Sequence, residues 1–173
     1  LSNQTVFFGA SDGPMTDEQL AGAPSAIVHL PMVLGADVPV YNLPGVTAEL
    51  KFSGPILADL FLGKIQKWND QAIASQNPDL KLPDADITVC HRSDESGTTK
   101  NFTQFLADYS PAWKDGPGVD KTVKWPTGTG AKGNDGVAAT IKQTEGSIGY
   151  VEQAYALQNG FTYASVKNSS GNF

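Results

Sequence analysis

A short polar segment carries the residues of this sequence whose types are best suited to chemistry. The segment reads Arg-Ser-Asp-Glu-Ser-Gly-Thr at residues 92–98, and it follows an apolar, β-branched run at residues 87–90. Arg92 has a planar fork of donors that fits a phosphate or a carboxylate, and Ser96 and Thr98 offer single hydroxyl donors. Side chains of these types, close together, favour the binding of an anion.

The residues on either side of this segment predict the elements that would position it. Residues 87–90 favour a buried strand, and apolar residues then recur at helical spacing from Phe102 to Tyr109. The first amides of a helix have no partner within the helix, and the helix dipole is positive there. Gly97 would let a bound group approach those amides closely. The pattern predicts an anion-binding turn, and the alternative is that the hydroxyls are ordinary helix caps.

The composition limits the classes of function. The chain has 173 residues, which suit one domain or two small lobes, and its net charge of -6 without a basic stripe argues against a nucleic-acid partner. No apolar run reaches the roughly 18 residues that span a membrane. Cys90 is the only cysteine, and the two histidines, His29 and His91, are far apart in sequence. We therefore expect no internal disulfide, no zinc site and no cofactor.

Strands and helices are predicted to alternate along the chain. The predicted strands are residues 5–10, one or two strands within 26–41, 87–90, 123–126, 147–150 and 161–166. The predicted helices are residues 17–21 with a Thr16–Gln19 capping box, 52–63, 71–75 capped by Asn69, a helix from about 98 to 109, 135–143 and 151–157. This alternation predicts an α/β class.

Sites in α/β proteins lie where the carboxyl ends of strands meet the N-termini of helices. Two stretches combine that position with useful side chains, namely residues 9–12 (Gly-Ala-Ser-Asp) and residues 91–98. The glycine-rich loop at residues 127–134 lacks the spacing of a P-loop or a dinucleotide fingerprint. We interpret it as a second helix N-terminus that lines a cleft, and a direct ligand role for it stays open.

Taken together, several stretches resemble one family closely. They are FGASDGPMTDEQL at 8–20, LADLFLGKIQKWND at 57–70, HRSDESGTTKNFTQFL at 91–106, VKWPTGTGAKGNDGVAA at 123–139 and GSIGYVEQAYALQN at 146–159. In this order they resemble the phosphate-binding proteins of bacterial Pst-type ABC transporters. The resemblance implies a type II periplasmic-binding-protein fold, in which two α/β lobes close on phosphate. The expected fold is one such lobe, with a mixed sheet flanked by helices.

The resemblance also implies a set of site residues. Those that would bind phosphate are Asp12, Arg92, Ser96, Gly97 and Thr98. Asp94 would orient the arginine without touching phosphate, and Ser11 is expected in the same outer layer. Glu95 departs from the family pattern, which usually has a small residue there, and a second negative charge beside the site would weaken anion binding unless it points to solvent.

Asp12 is expected to select the ligand. A buried carboxylate next to a dianion is repulsive unless a proton lies between them. Asp12 would therefore favour phosphate, which carries a proton at neutral pH, over sulfate, which does not. Without the resemblance, the alternative for Asp12 is a structural Asx-turn at the end of a strand.

The resemblance predicts how the chain is divided. We expect residues 1–41 to be a remnant of the first lobe with a hinge strand, and residues 42–173 to be the second lobe. The family has further phosphate donors upstream of residue 1 and continues beyond residue 173, which suggests a truncated form of a two-lobe protein. The first residues, Leu-Ser-Asn-Gln, do not resemble a signal peptide. The parent protein is expected in the periplasm or cell envelope.

The expected function is to capture inorganic phosphate and hand it to the membrane permease of an ABC transporter, and not to act as an enzyme. The isolated chain is expected to bind phosphate weakly or not at all, unless a second copy supplies the missing donors or the chain was made to stand alone. A homodimer is also expected, because an unpaired apolar strand at 5–10 would favour self-association. The alternatives are an anion-binding or structural fragment without phosphate affinity, and a phosphate-ester hydrolase that uses Arg92 and Asp12.

Overall fold

The computed structural model describes residues 5–11 and 13–173. The chain divides into two compact units, Leu1–Gly35 and Ala36–Phe173. In the first unit, helix α1 covers Asp17–Ala21 and begins with the predicted capping box. The Thr16 amide donates to Gln19 Oε1 at 2.9 Å, and the Gln19 amide donates to Thr16 Oγ1 at 3.3 Å.

The strand predicted at residues 5–10 is wrong. These residues form no β ladder, and the side chains of Val6, Phe7 and Phe8 are more than half exposed. A strand is stable only when a neighbour pairs with its N–H and C=O groups, and the described part of the first unit contains no strand. For the same reason residues 26–35 are not in a strand, and the prediction for 26–41 holds only for its last residues.

The second unit contains six strands and six helices among the described residues. The strands are β1 Asp37–Asn42, β2 Lys51–Phe52, β3 Thr88–Arg92, β4 Thr129–Ala131, β5 Ser147–Glu152 and β6 Ser165–Val166. The helices are α2 Gly54–Phe61, α3 Gln71–Ala74, α4 Gly97–Tyr109, α5 Pro111–Asp115, α6 Gly133–Gln143 and α7 Gln153–Asn159. The predicted α/β class is confirmed.

The main sheet is mixed, as predicted. Its strand order is β1-β5-β3-β4, and β2 pairs with β6 in a separate parallel ribbon. Strand β1 is antiparallel to β5, whereas β3 runs parallel to both β5 and β4. Neighbouring residues of the central strands belong to different buried clusters: Val89 and Tyr150 to one, Cys90 and Val151 to the other. Both faces of the sheet are therefore covered, as is typical of α/β folds.

Some local predictions differ from the structure. The N-cap of α3 is Asp70, whose carboxylate accepts the Ala72 amide at 2.8 Å, and not Asn69. Residues 123–126 do not form a strand; the strand begins at Thr129, after Pro126, which has no amide to donate. Helix α5 is not among the predicted helices; Ser110 caps its first turn by accepting the Trp113 amide.

No helix in residues 5–11 and 13–173 is long and apolar enough to cross a membrane. Trp68 is fully buried, with its indole N–H donating to the Gly146 carbonyl at 2.9 Å. Cys90 is also buried, and burial raises the pKa of its thiol to about 11. The thiol is therefore protonated at neutral pH, as expected of a core residue.

Candidate anion-binding site

Strand β3 and helix α4 position the segment at residues 92–98. Strand β3 lies between β5 and β4 and ends at Arg92, and α4 begins at Gly97. Because β4 is parallel to β3, with Ala131 opposite Arg92, both strands end at the same edge of the sheet. The turns into α4 and α6 therefore lie next to each other, at the kind of edge where α/β proteins bind ligands.

Arg92 and Asp94 form a bidentate ion pair at this edge. Arg92 Nε donates to Asp94 Oδ1 at 2.7 Å, and Nη2 donates to Oδ2 at 2.6 Å. The side chains are 10% and 30% exposed, respectively, so the pair is partly shielded from water. The hydrogen bonds from Arg92 are the main cause that holds the pKa of Asp94 well below its ordinary range. The carboxylate is thus charged at neutral pH, and it fixes the direction of the guanidinium.

Asp94 also connects the two neighbouring turns. Its Oδ1 accepts the Gly133 amide at 3.0 Å, at the first residue of α6. The residue that precedes it, Lys132, makes no side-chain cap to this helix. A carboxylate at a helix N-terminus is stabilised by the amides and by the helix dipole. The start of α6 therefore holds Asp94, and Asp94 holds Arg92.

The first turn of α4 presents two backbone donors. Ser96 is the N-cap, and its Oγ accepts the Thr99 amide at 3.2 Å. Its own amide is held by the Lys121 carbonyl at 3.1 Å, which fixes the start of the helix. Helix geometry supplies no acceptor for the amides of Gly97 and Thr98, and none is found for them within the part of the chain that the structure describes.

Tyr150 is a residue of this region that the sequence analysis did not single out. It is fully buried on β5, and its Oη accepts the Arg92 amide at 3.3 Å and bonds to Thr99 Oγ1 at 2.7 Å. Burial is the main cause that raises its pKa to about 12, so the phenol stays neutral. The signal was present in the sequence, because a tyrosine within a buried strand needs a partner for its hydroxyl.

An aromatic group packs behind the site. The His91 ring stacks on Trp125 with centroids 4.7 Å apart, and Trp125 lies 5.8 Å from the Tyr150 ring. His91 Nδ1 is 3.0 Å from the Arg92 carbonyl oxygen, and burial lowers the pKa of the imidazole. These contacts fit a packing role for His91.

The predicted site residues fall into two groups. Five of them lie between the last residue of β3 and the first turn of α4: Arg92, Asp94, Ser96, Gly97 and Thr98. Ser11 belongs to the first unit, where its Oγ donates to the Gly13 carbonyl at 2.8 Å. Asp12 lies outside the described residues. Glu95, the departure from the family pattern, is exposed to solvent.

Two further observations concern other kinds of site. A partly open cavity of about 280 Å³ lies elsewhere in the second unit, lined by residues that include Leu60, Gln66, Asp86 and Thr127, and Arg92 is not among them. Within residues 5–11 and 13–173, no group of three or more acidic, histidine or cysteine side chains is arranged to hold a metal ion.

Comparison with known sequences defines the class of the protein. A sequence model of the family described as "PBP superfamily domain" matches residues 1–172. The match covers almost the whole sequence, so this chain belongs to that family.

Individual relatives give a more specific comparison than the superfamily match. The phosphate-binding protein PstS of Pasteurella multocida is 53% identical over 171 residues, which are 98% of this chain and 49% of that protein. PstS of Haemophilus influenzae is 51% identical over 171 residues, covering 98% of this chain and 51% of that protein. The resemblance to this family is therefore confirmed. The chain spans about half the length of the curated relatives it matches.

A solved structure supports the same fold. It is described as a high-affinity periplasmic phosphate-binding protein (PfluDING) bound with phosphate, and its TM-score with this chain is 0.71. The two are 24% identical, and the match covers 98% of this chain and 50% of the other. At this identity the likeness shows the fold alone, and it confirms the fold class inferred from the sequence.

Proposed function

We propose that this chain binds inorganic phosphate at the start of α4, with Arg92 as the charged ligand. Ser96 and Thr98 contribute hydroxyl groups, and Gly97 and Thr98 contribute amides. The observation that carries the proposal is the Arg92–Asp94 pair, which aims a partly shielded guanidinium at the edge where α4 begins. The relatives named as phosphate-binding proteins support phosphate as the anion.

The proposal is consistent with the acidic character of the chain. The net charge of -6 repels an anion at long range, but in physiological salt this repulsion is screened beyond about 8 Å. At contact distance, a guanidinium and oriented amides provide charge-assisted hydrogen bonds, which are the strong ones. Local donors therefore outweigh the overall charge.

Asp12 supplies the selectivity in this proposal. Its carboxylate accepts a hydrogen bond from the protonated oxygen of phosphate, with Ser11 beside it in the outer layer. Sulfate has no proton to offer, so two acceptors would face each other at an unpaired cost of about 1–3 kcal/mol or more. Phosphate is thus preferred because it carries a proton.

The first experiment on this proposal is calorimetric titration of the chain with phosphate and with sulfate. We expect heat with phosphate and little with sulfate, and the Asp12→Asn variant should bind sulfate more tightly because the amide can donate to it. Unchanged selectivity in Asp12→Asn would exclude the role of Asp12. The absence of phosphate heat in the unsubstituted chain would leave the alternative of an anion-binding or structural fragment without phosphate affinity.

The proposal describes a binding protein and not an enzyme. A chromogenic phosphate ester distinguishes the two, because a hydrolase that used Arg92 and Asp12 would release the chromophore catalytically. We expect no turnover above that of an Arg92→Glu variant, and turnover that disappeared in that variant would establish the hydrolase instead.

The role in transport belongs to the whole protein. We propose that the parent of this chain works outside the cytoplasmic membrane, in the periplasm or cell envelope, and delivers phosphate to the permease of an ABC transporter. In this proposal residues 1–41 are part of the first lobe with its hinge strand, and residues 42–173 are the second lobe. Phosphate uptake by cells that carry the parent protein should fall when its counterpart of Arg92 is replaced by glutamate.

Self-association of the isolated chain is the last part of the proposal. Large apolar side chains that are more than half exposed in the first unit include Val6, Phe7, Phe8, Val28, Leu30, Met32, Val33 and Leu34. Exposed apolar surface of this kind favours association, and a second copy would also offer further donors to phosphate. Light scattering should give the mass of a dimer, and a monomer that binds phosphate tightly would show that the second copy is unnecessary.

A further inference from the structure

The hydroxyl of Tyr150 lies where three elements of the second unit meet. Tyr150 is on β5, the Arg92 amide that donates to it is at the end of β3, and its other partner, Thr99, is in the first turn of α4. The residue is fully buried, and both partners are within hydrogen-bonding distance, at 3.3 Å and 2.7 Å. Removing such a buried hydroxyl costs free energy of folding, because each of its two partners would lose a hydrogen bond.

The hydrogen bonds continue beyond Thr99 to the cap of the helix. The Thr99 amide donates to Ser96 Oγ at 3.2 Å. A connected series therefore runs from the backbone of Arg92 through Tyr150 and Thr99 to Ser96. Its two ends are residues that the proposed function assigns to phosphate, whereas Tyr150 and Thr99 are not assigned to it.

The ring of Tyr150 fixes α4 at a second point. It stacks on Phe102 with centroids 4.3 Å apart and an interplanar angle of 13°. Phe102 is three residues after Thr99, so the two contacts lie on one face of α4. Contacts at two successive turns restrict both the rotation of the helix about its axis and its distance from β3.

We propose that Tyr150 is a positioning residue for the phosphate site, whose hydroxyl sets the spacing between Arg92 and the first turn of α4. The inference rests on the proposed function and adds a determinant of affinity that does not touch the ligand. A guanidinium and two amides bind one anion well only when their geometry is fixed in advance. Tyr150 supplies that geometry from a third element of the fold.

The test compares two tyrosine hydroxyls with similar partners. Tyr41 is 5% exposed, and its hydroxyl donates to the Ala48 carbonyl at 2.9 Å and accepts the Leu50 amide at 3.1 Å. Both Tyr150→Phe and Tyr41→Phe remove a buried hydroxyl from a backbone amide and a second partner. Both should lower the urea midpoint of unfolding. Only Tyr150→Phe should raise the Kd for phosphate, by about five- to tenfold, while Tyr41→Phe should leave it within about twofold.

A second measurement does not depend on phosphate. In nitrogen-15 NMR spectra of the unliganded chain, Tyr150→Phe should shift the Arg92 Nε–H signal and speed hydrogen exchange of the Arg92 backbone amide. Thr99→Val should weaken phosphate binding in the same direction, and the double variant should lose less than the sum of the two, because the side chains share one hydrogen bond.

The outcomes separate the inference from the proposed function. If the unsubstituted chain does not bind phosphate, the proposed function fails, and the Arg92 signals still decide whether Tyr150 positions this residue. If Tyr150→Phe lowers stability as Tyr41→Phe does, but leaves both the Kd and the Arg92 signals unchanged, Tyr150 is only a core residue and the inference is wrong.

Discussion

The second unit contains two adjacent strand-to-helix turns whose construction differs. The turn from β3 to α4 has four residues, follows directly after Arg92 and ends in the hydroxyl cap of Ser96. The turn from β4 to α6 is reduced to Lys132, which makes no side-chain cap. Its first amide, on Gly133, donates to Asp94 of the other turn.

The N-termini of α4 and α6 therefore differ in what their backbone amides contact. The cap of α4 bonds the third amide of the helix and leaves the amides of Gly97 and Thr98 directed beyond the helix end. The start of α6 instead holds the carboxylate that orients Arg92. In our proposal, glycine content is a poor guide to the turn that binds the ligand. The loop at 127–134 is richer in glycine, but its Gly133 amide donates to Asp94 of the other turn.

The largest expected effect on phosphate affinity comes from replacing Arg92, the charged residue that distinguishes the turn between β3 and α4 from the turn between β4 and α6. Arg92→Glu should weaken phosphate binding by about a hundredfold or more, because it removes a charge-assisted ligand and places two carboxylates together. The matched charge reversal is Lys132→Glu in the second turn, where the side chain is exposed and salt screens its charge. Calorimetric titration should show a change within about threefold for Lys132→Glu. Equal losses in the two variants would mean that charge alone, without the geometry of the first turn, attracts phosphate.

A smaller effect is expected where the two turns meet, at Asp94. Asp94→Asn should lower the free energy of unfolding by about 2 kcal/mol at neutral pH, since hydrogen bonds between charged groups lose one charge. Phosphate affinity should change by less than about threefold, because a looser Arg92 weakens binding while the loss of a nearby negative charge strengthens it. Urea unfolding and titration measure the two quantities.

The pH dependence of this stability difference has a defined sign. The pKa of Asp94 is lower in the folded chain than in the unfolded one, so its contribution is full above the unfolded pKa, about 4, and is lost as the pH falls towards the folded pKa. The curves for the original chain and Asp94→Asn should therefore be parallel above about pH 5 and converge in acid. Asp59→Asn, which breaks an exposed pair with Lys64, should differ by less than about 1 kcal/mol throughout. If the curves stay parallel into acid, the Arg92–Asp94 ion pair does not contribute to the free energy of unfolding as proposed.

Much of the fold could be predicted from local sequence. The capping box identifies α1, and a cap or a proline followed by apolar residues at helical spacing identifies α2 and α4. The larger failures concern strands. Residues 5–10 have the composition of a strand but no partner strand among the described residues. The strand predicted at 123–126 is instead formed by Thr129–Ala131. A strand is defined by pairing, which local sequence does not contain.

The candidate site was predictable in part. The turn at 92–98 is one continuous segment, so its residue types and the helix that follows reveal it directly. Tyr150 and Gly133 come from elsewhere in the chain and reach the turn only through the order of the strands in the sheet. The sequence shows that Tyr150 needs a partner, but it does not show that the partners are Arg92 and Thr99.

The smallest expected effect comes from replacing Gly133, at the start of α6, where the turn from β4 ends. Gly133 and Gly160 have φ values of +71° and +67°, and a Cβ added at either position would meet no atom within 4 Å. Alanine at either position should therefore cost about 1–2 kcal/mol of stability through backbone strain alone. Only Gly133→Ala should also move the Arg92 Nε–H signal in NMR spectra, because the Gly133 amide holds Asp94. If both variants lose stability equally and neither moves that signal, the start of α6 does not help to hold the turn between β3 and α4. Asp94 would then orient Arg92 without the hydrogen bond from the Gly133 amide.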